Sequence, residues 1–276
     1  MRSALATSDW PALLASGPDM VCFDLEDGTA AAHKRQARDA VSAFLHTLVN
    51  AQASANTAVY VRINSPRTRA GIEDLLMIAD SPSSLTGILI PKAESGTEVA
   101  LVAQVLADAK RTMEIVPLVE TQAGVHQAQA IAASDPAVSA IFLGSVDLSG
   151  ELGSNTGWDA LYGARSALVF AASQRGIDCI DGPWLDVDDT AGLELEAQRV
   201  ADMGFTGKAC YDSIQIDTIH AAFTPSSAAI KTAEAIVAAV SASATGAARV
   251  DGQSVNKANA KAAERVLALA RRRDAV

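Results

Sequence analysis

Two acids far apart in the chain, Glu120 in PLVETQAG and Asp147 in FLGSVDLS, each follow a short apolar run and have small neighbours in Gly124, Gly144 and Ser145. Two carboxylates brought together with room around them are the least an octahedral Mg²⁺ needs, because that ion keeps waters and leaves positions for a bidentate ligand. Mn²⁺ takes the same oxygen donors. Either acid could instead cap a helix, and GSVDLS has the composition of a helix start. Arg62 in YVRINS ends a strand-like run, where an inward guanidinium meets a carboxylate or a developing oxyanion. Its plainer alternative is an ion pair with the acids of VCFDLEDG, and both can hold together. Those acids, Asp24, Glu26 and Asp27, can accept hydrogen bonds from metal-bound waters while holding Arg62 or Lys92; a loop salt-bridge network is the alternative. Lys92 and Glu94 in LIPKAES offer a second pair, with Lys92 open to a structural or a catalytic part. His33, His46, His126 and His220 fall on predicted helices at no mutual metal spacing, and no GxSxG elbow supports a Ser nucleophile.

These residues need elements to position them. VCFDL, AVYVRIN, GILIPK, EIVPLVE, AIFLGSVD, GIDCIDG and FTGKACY are β-branched apolar runs, each followed by an Ala-rich helical segment. That alternation predicts a parallel sheet covered by helices. With Ser3-Ala4-Leu5 as a weak first strand there are eight, and neither a GxGxxG turn nor a P-loop follows any of them. The expected fold is α/β, a (β/α)8 TIM barrel, with chemistry at the C-terminal strand ends. Asp24, Arg62, Lys92, Glu120, Asp147, Asp181 and Lys208 stand at successive strand ends and are all candidates for that face. Beyond FTPS the pattern turns helical, so residues 1–224 read as the barrel and 225–276 as a C-terminal helical arm or lid, with a last helix from about Ser254 to Arg273.

The 276 residues carry a net charge of −10 at a pI near 4.8, and the only basic run is Arg271-Arg272-Arg273 at the end of that helix. Nucleic acid is therefore not an expected partner. Asp9, Trp10 and Pro11 interrupt any signal-peptide core, the Ala-rich run near 228–248 is too polar to span a bilayer, and Cys22, Cys179 and Cys210 form no CxxC pair and read as buried thiols. A cytoplasmic protein with no membrane partner is expected.

With these motifs in order, FDLEDG, VRIN, IPKAES, PLVETQAG, FLGSVDLSGELG, DGPWLDVDD, GFTGK, FTPS and VDG, the chain resembles the HpcH/HpaI aldolase / citrate lyase β-subunit-like family of CoA ester lyases. The resemblance implies a Mg²⁺-dependent carbon–carbon lyase with Glu120 and Asp147 as metal ligands and Arg62 on a substrate oxygen. It implies substrate contacts at Gly144, Ser145 and Val146, and Lys92, Glu26 and Asp27 are counted with Arg62 and Asp251 as the catalytic residues. It also implies an Asp on the tail, here Asp251 in VDG, that reaches an active site of its own or of a neighbouring subunit, and a homotrimer. The chain departs from the family in a shortened N-terminal loop, in Tyr211-Asp212-Ser213 where Ile-His-Pro is usual, and in lacking a proline soon after Asp251. These changes spare the metal site and bear on the thioester half of the substrate.

The reaction expected is reversible cleavage of a 3-hydroxy acyl compound, of the malyl-CoA or citramalyl-CoA type, into a 2-oxo acid and an enolate that becomes an acyl product. Arg62 would stabilise the oxyanion and Asp251 would move a proton at the enolate carbon. The rivals are a malyl-CoA-type thioesterase, a CoA-free 2-oxo acid aldolase, and a regulatory subunit that binds a metabolite through the same pocket.

Overall fold

The computed structural model describes residues 2–50, 57–81 and 85–274. Eight parallel strands follow one another across one sheet in sequence order: β1 Arg2–Ser3, β2 Met20–Asp24, β3 Ala58–Arg62, β4 Gly87–Ile90, β5 Glu114–Val119, β6 Ala140–Leu143, β7 Asp178–Asp181 and β8 Gly207–Lys208. Among the described residues no ladder joins β8 to β1. Helices connect the strands, as parallel pairing requires. This is the (β/α)8 order expected. The first strand is offset one residue from the expected Ser3-Ala4-Leu5, pairing Ser3 with Asp24, although the Ala4 amide still donates to the Asp24 carbonyl at 3.1 Å.

Strand side chains alternate between two faces, and the packing shows which face is which. Cys22, Tyr60, Leu89, Val116, Leu118, Ala140 and Phe142 form one buried cluster, with Ile180 and Ala209 packed against it. Residues from β2 through β7, and the residue after β8, meet there only because the sheet curls around its inner face. The other parity faces the helices: Phe23 packs against Trp10 and Phe44, at 4.4 Å and 5.2 Å between ring centroids. Both faces are apolar, so the strands read as continuous hydrophobic runs. Several helices start just past strand ends under side-chain caps, with Thr68, Ser95 and Thr121 each accepting from the amide three residues on.

The chain divides into two compact units, Met1–Ile216 and Asp217–Val276. The second contains helices Ser227–Ala242 and Lys257–Asp274, packed on each other, and a hairpin of β9 Ala247–Val250 with β10 Gln253–Asn256. Ser254, expected to open the last helix, lies in β10 instead. Asp251 at φ +48° and Gly252 at φ +81° form the two-residue connection. An Asp-Gly pair suits that left-handed geometry and so favours a hairpin. The last helix begins three residues later, with the Asn256 side chain accepting from the Ala258 and Asn259 amides. It runs through the backbone of the Arg271–Arg273 triplet, but the side chains of Arg272 and Arg273 lie outside the described residues. No helix is long and apolar enough to cross a membrane among the described residues.

Candidate active site

Parity decides which strand-end groups reach the mouth. Cys22, Tyr60, Leu118 and Phe142 point inward, so Asp24, Arg62, Glu120 and Gly144, each two residues later, point the same way one layer higher. Together with Asp27, Asp147, Pro183 and Tyr211 they line a cavity of ≈ 380 Å³ whose floor includes Leu118, Phe142 and Ala209. Ile180 and Ala209 are also inward. Asp181 and Lys208 therefore face the helices, and the expectation that they serve the mouth is corrected.

What they form is a buried ion cluster. Lys208 Nζ donates to Asp181 Oδ2, the Gly182 carbonyl and Glu196 Oε1, each at 2.7 Å. Arg165 Nε donates to Asp181 Oδ1 at 2.9 Å, and its NH2 lies 3.4 Å from Glu196. Two cations and two carboxylates compensate one another. Arg165 and Glu196 lie on helices, where nothing in their spacing pointed to this partnership.

The acid triplet on the β2 loop is organised around Arg62. β2 and β3 pair Asp24 with Arg62 in register. Arg62 donates Nε to Asp24 Oδ1 at 2.7 Å and NH2 to Oδ2 at 2.6 Å, and its NH1 lies 3.1 Å from Glu26. The amides of Glu26 and Gly28 complete the Asp24 shell at 2.9 and 2.8 Å. Burial opposes ionisation of Asp24 most strongly, yet Arg62 and the two amides outweigh it and hold the carboxyl below the usual carboxylate range. A Cβ at Gly28 would fall 2.5 Å from Asp24 Oδ2, so the tight loop needs glycine there. Burial likewise disfavours the Arg62 cation, but its bonds to Asp24 raise its pKa instead.

Lys92 ties this loop to the carboxylate pair. Its Nζ is 2.5 Å from Glu26 and 3.4 Å from both Asp27 and Asp147. Its backbone is left-handed, at φ +50°, and the amide donates to Glu120 Oε1 at 2.8 Å. Glu94 does not pair with Lys92 as expected. It pairs with Arg67, which also binds the Lys92 carbonyl at 2.9 Å, so the turn at Lys92 sends the two side chains to different partners.

Glu120 and Asp147 are brought to one cavity, and neither caps a helix. Thr121 is the cap after β5, while Gly144 begins the helix Ser145–Leu152 without a side-chain cap bond. Asp147 sits in that helix's first turn, where a carboxylate is favoured. Glu120 is 3% exposed, and burial, reinforced by the Asp147 charge, pushes its carboxyl up to about 7. A Cβ at Gly144 would collide with Cβ and Oε2 of Glu120, so this glycine keeps the space that Glu120 fills. Gly182 does the same for the buried Ser145 hydroxyl. Val146, by contrast, is exposed at the rim.

The donor set suits a hard divalent cation. The two carboxylates supply oxygen only, and no cluster of three or more His, Cys, Asp or Glu able to hold a metal exists among the described residues. Two protein oxygens with water completing the shell is a Mg²⁺ or Mn²⁺ arrangement. A nearby divalent charge would also keep Glu120 ionised.

Sequence reasoning left the lower wall of this cavity unread, although Leu118 and Phe142 stand two residues before Glu120 and Gly144. Cys22 and Cys179 are buried as expected, and burial pushes the Cys22 thiol up to about 12. Cys210 is only half-buried and lines the cavity, because it follows β8 at the mouth. The four histidines all lie on helical segments. Asp251 lies exposed at the hairpin tip in the second unit.

Comparison with known proteins adds four findings. The model of the family described as HpcH/HpaI aldolase/citrate lyase matches residues 11–213. A (3S)-malyl-CoA thioesterase of Cereibacter sphaeroides is 33% identical over 91% of this chain and 86% of its own. An L-malyl-CoA/beta-methylmalyl-CoA lyase of Rhodobacter capsulatus is 30% identical over 90% and 86%. Among solved structures, CitE from Mycobacterium tuberculosis in complex with magnesium, acetoacetate and coenzyme A superposes with a TM-score of 0.77 at 30% identity, covering 97% of this chain and 95% of that one.

Proposed function

This chain belongs to the HpcH/HpaI aldolase/citrate lyase family, and from that premise we propose that it is a Mg²⁺-dependent carbon–carbon lyase. It cleaves or forms a 3-hydroxy acyl compound of the malyl-CoA or citramalyl-CoA type, giving a 2-oxo acid and an acyl product. The observation that carries this reading is the carboxylate pair, Glu120 and Asp147, opening on the same cavity as the inward guanidinium of Arg62.

Glu120 and Asp147 would hold the metal, which when bound supplies a Lewis acid for the carboxylate and carbonyl oxygens of the 2-oxo acid. Arg62 turns three of its five N–H groups to Asp24 and Glu26, and the two that remain would donate to the same substrate oxygen as charge develops. Asp24 and Glu26 fix that guanidinium in place. Lys92 carries the alignment onward, fixing Glu120 through its amide and Glu26, Asp27 and Asp147 through its ammonium. Gly144, Ser145 and Val146 line the cavity and contact the substrate, Val146 at its exposed edge. Asp251, on the arm of residues 225–276, transfers the proton at the enolate carbon. We place the enzyme in the cytoplasm as a homotrimer.

The thioesterase reading also stands, since a similar relative is a (3S)-malyl-CoA thioesterase. Release of 2-oxo acid and of free thiol from 3-hydroxy acyl-CoA thioesters and the matching free acids, with Mg²⁺ and with chelator, separates the reactions. Metal-dependent 2-oxo acid release that Glu120→Gln abolishes is the expected result. Thiol release alone makes the chain a thioesterase, release from free acids alone a CoA-free aldolase, and no release from any substrate refutes the lyase.

A further inference from the structure

We propose that Lys34 is a positioning residue of this active site: from outside the cavity it fixes the bend after β2 and so sets the direction in which Glu26 reaches Arg62 and Lys92. The proposal rests on the lyase reading above and concerns what keeps its oxyanion donor aimed.

Glu26 is the joint between the two cations of the site. Its carboxylate lies 3.1 Å from Arg62 NH1 and 2.5 Å from Lys92 Nζ, and it accepts from the Asp27 amide at 3.0 Å. A carboxylate shared in this way aims a guanidinium only as well as its own backbone is held.

That backbone lies where β2 has ended and the chain bends, at Leu25 and Glu26. Lys34 Nζ donates to the carbonyls of both, each at 2.7 Å. Successive carbonyls of an extended strand point to opposite sides, so one ammonium holds two of them only where the chain has turned. Neither carbonyl depends on Lys34 for a partner. Leu25 also accepts from Asn64 Nδ2 at 2.9 Å, and Glu26 from the Thr29 amide at 2.9 Å. What Lys34 adds is the bridge between them.

The same helix supports the bend by a second route. Lys34 and Arg38 stand four residues apart on the helix Lys34–Asn50, and so on one face. Arg38 donates to Asp74 Oδ1 at 3.0 Å, and Oδ2 of this fully buried acid accepts from Asn64 Nδ2 at 2.6 Å. That amide group is the second donor to the Leu25 carbonyl. Two cations of one helix face therefore converge on it, Lys34 directly and Arg38 through two side chains. Lys34 stands outside the cavity lining, so it acts through Glu26 and not on the substrate.

The test uses the full chain with Lys34→Met, which keeps most of the stem and removes the ammonium, and Lys34→Arg, whose fork can reach both carbonyls. Calorimetry at buffered free Mg²⁺, and again with chelator, compares pyruvate with oxalate. Both offer a carboxylate and a second oxygen, neutral in pyruvate and charged in oxalate like the oxyanion that Arg62 meets. In the parent both should bind only with metal. Lys34→Met should weaken oxalate about tenfold more than pyruvate and lower kcat on the thioester about tenfold or more with KM little changed, the pattern of an interaction strongest in the transition state. Mg²⁺ affinity should hold within about twofold, because the Lys92 backbone amide fixes Glu120. Lys34→Arg should recover most of both losses. An unchanged oxalate-to-pyruvate ratio and kcat in folded Lys34→Met, or losses that Lys34→Arg leaves in place, would overturn the positioning role and leave the lyase intact. Failure of Lys34→Met to fold would make the ammonium a structural group and likewise overturn it. Absence of metal-dependent binding of either acid by the parent would overturn both readings.

Discussion

Gly144→Ala is the most direct probe of the metal-site geometry. Gly144 has φ −84° and ψ 80°, a negative φ that alanine tolerates, so the substitution tests space and not backbone freedom. The added methyl would overlap both Cβ and Oε2 of Glu120. Cβ of Glu120 is fixed to its strand, so rotating the carboxylate away cannot relieve the whole overlap, and β5 and β6 must also separate locally. Overpacking of this kind costs about 1–3 kcal/mol of stability. Displacing a reacting group by about 1 Å costs about a hundredfold in rate. Calorimetric titration with Mg²⁺ should show weakened binding, and turnover of the thioester should fall about a hundredfold, while urea denaturation shows a loss near the overpacking range. Unchanged Mg²⁺ affinity and turnover in a folded variant would refute the claim that Glu120 lies against Gly144 in the working enzyme.

Glu120→Gln should give opposite signs in two assays. A carboxyl pushed up to about 7 takes up a proton in the folded state that the unfolded chain has already lost, so in chelator its effect on stability worsens as pH rises from about 4.5 to 7. The variant should melt higher than the parent at pH 8 without metal and the same at pH 5, while losing Mg²⁺ binding; equal melting at both values would contradict the buried pair. For the parent, Mg²⁺ affinity should fall as pH drops below about 7, with proton release on binding at that pH. Asp24 has the reverse sign: its depressed pKa supports folding above the unfolded carboxylate value and is lost as pH falls through the folded one, so Arg62→Met should flatten the acid limb of stability. Lys208→Met should cost about 3–5 kcal/mol in urea by leaving Asp181 and Glu196 undercompensated, yet spare kcat while the protein is folded; a kcat loss would return Lys208 to the active site. Asp251→Asn keeps an Asn-Gly turn that suits the same hairpin, so turnover should fall about a hundredfold or more with Mg²⁺ affinity intact; unchanged turnover would remove Asp251 from the chemistry.

The alternation of apolar runs with helical segments made the barrel legible because burial on both sheet faces leaves a continuous hydrophobic run. The same property hid which face each strand-end polar group takes. A run such as GIDCIDG does not declare its parity until Ile180 is seen in the barrel interior, and only then does Asp181 turn to the helices. The pairing of Arg62 with the acids of VCFDLEDG was legible, because both end neighbouring strand runs, and Asp24 and Arg62 sit in register there. Asp181 and Lys208 are likewise in register, but their neutralising partners, Arg165 and Glu196, come from two helices and leave no local trace. Counting inward from a fixed point recovers what composition cannot. Once Glu120 is taken to face the mouth, Leu118 must face the interior below it, and the register of β5 with β6 brings Phe142 beside Leu118. The lower wall of the cavity thus follows from the placement of Glu120, by strand geometry alone.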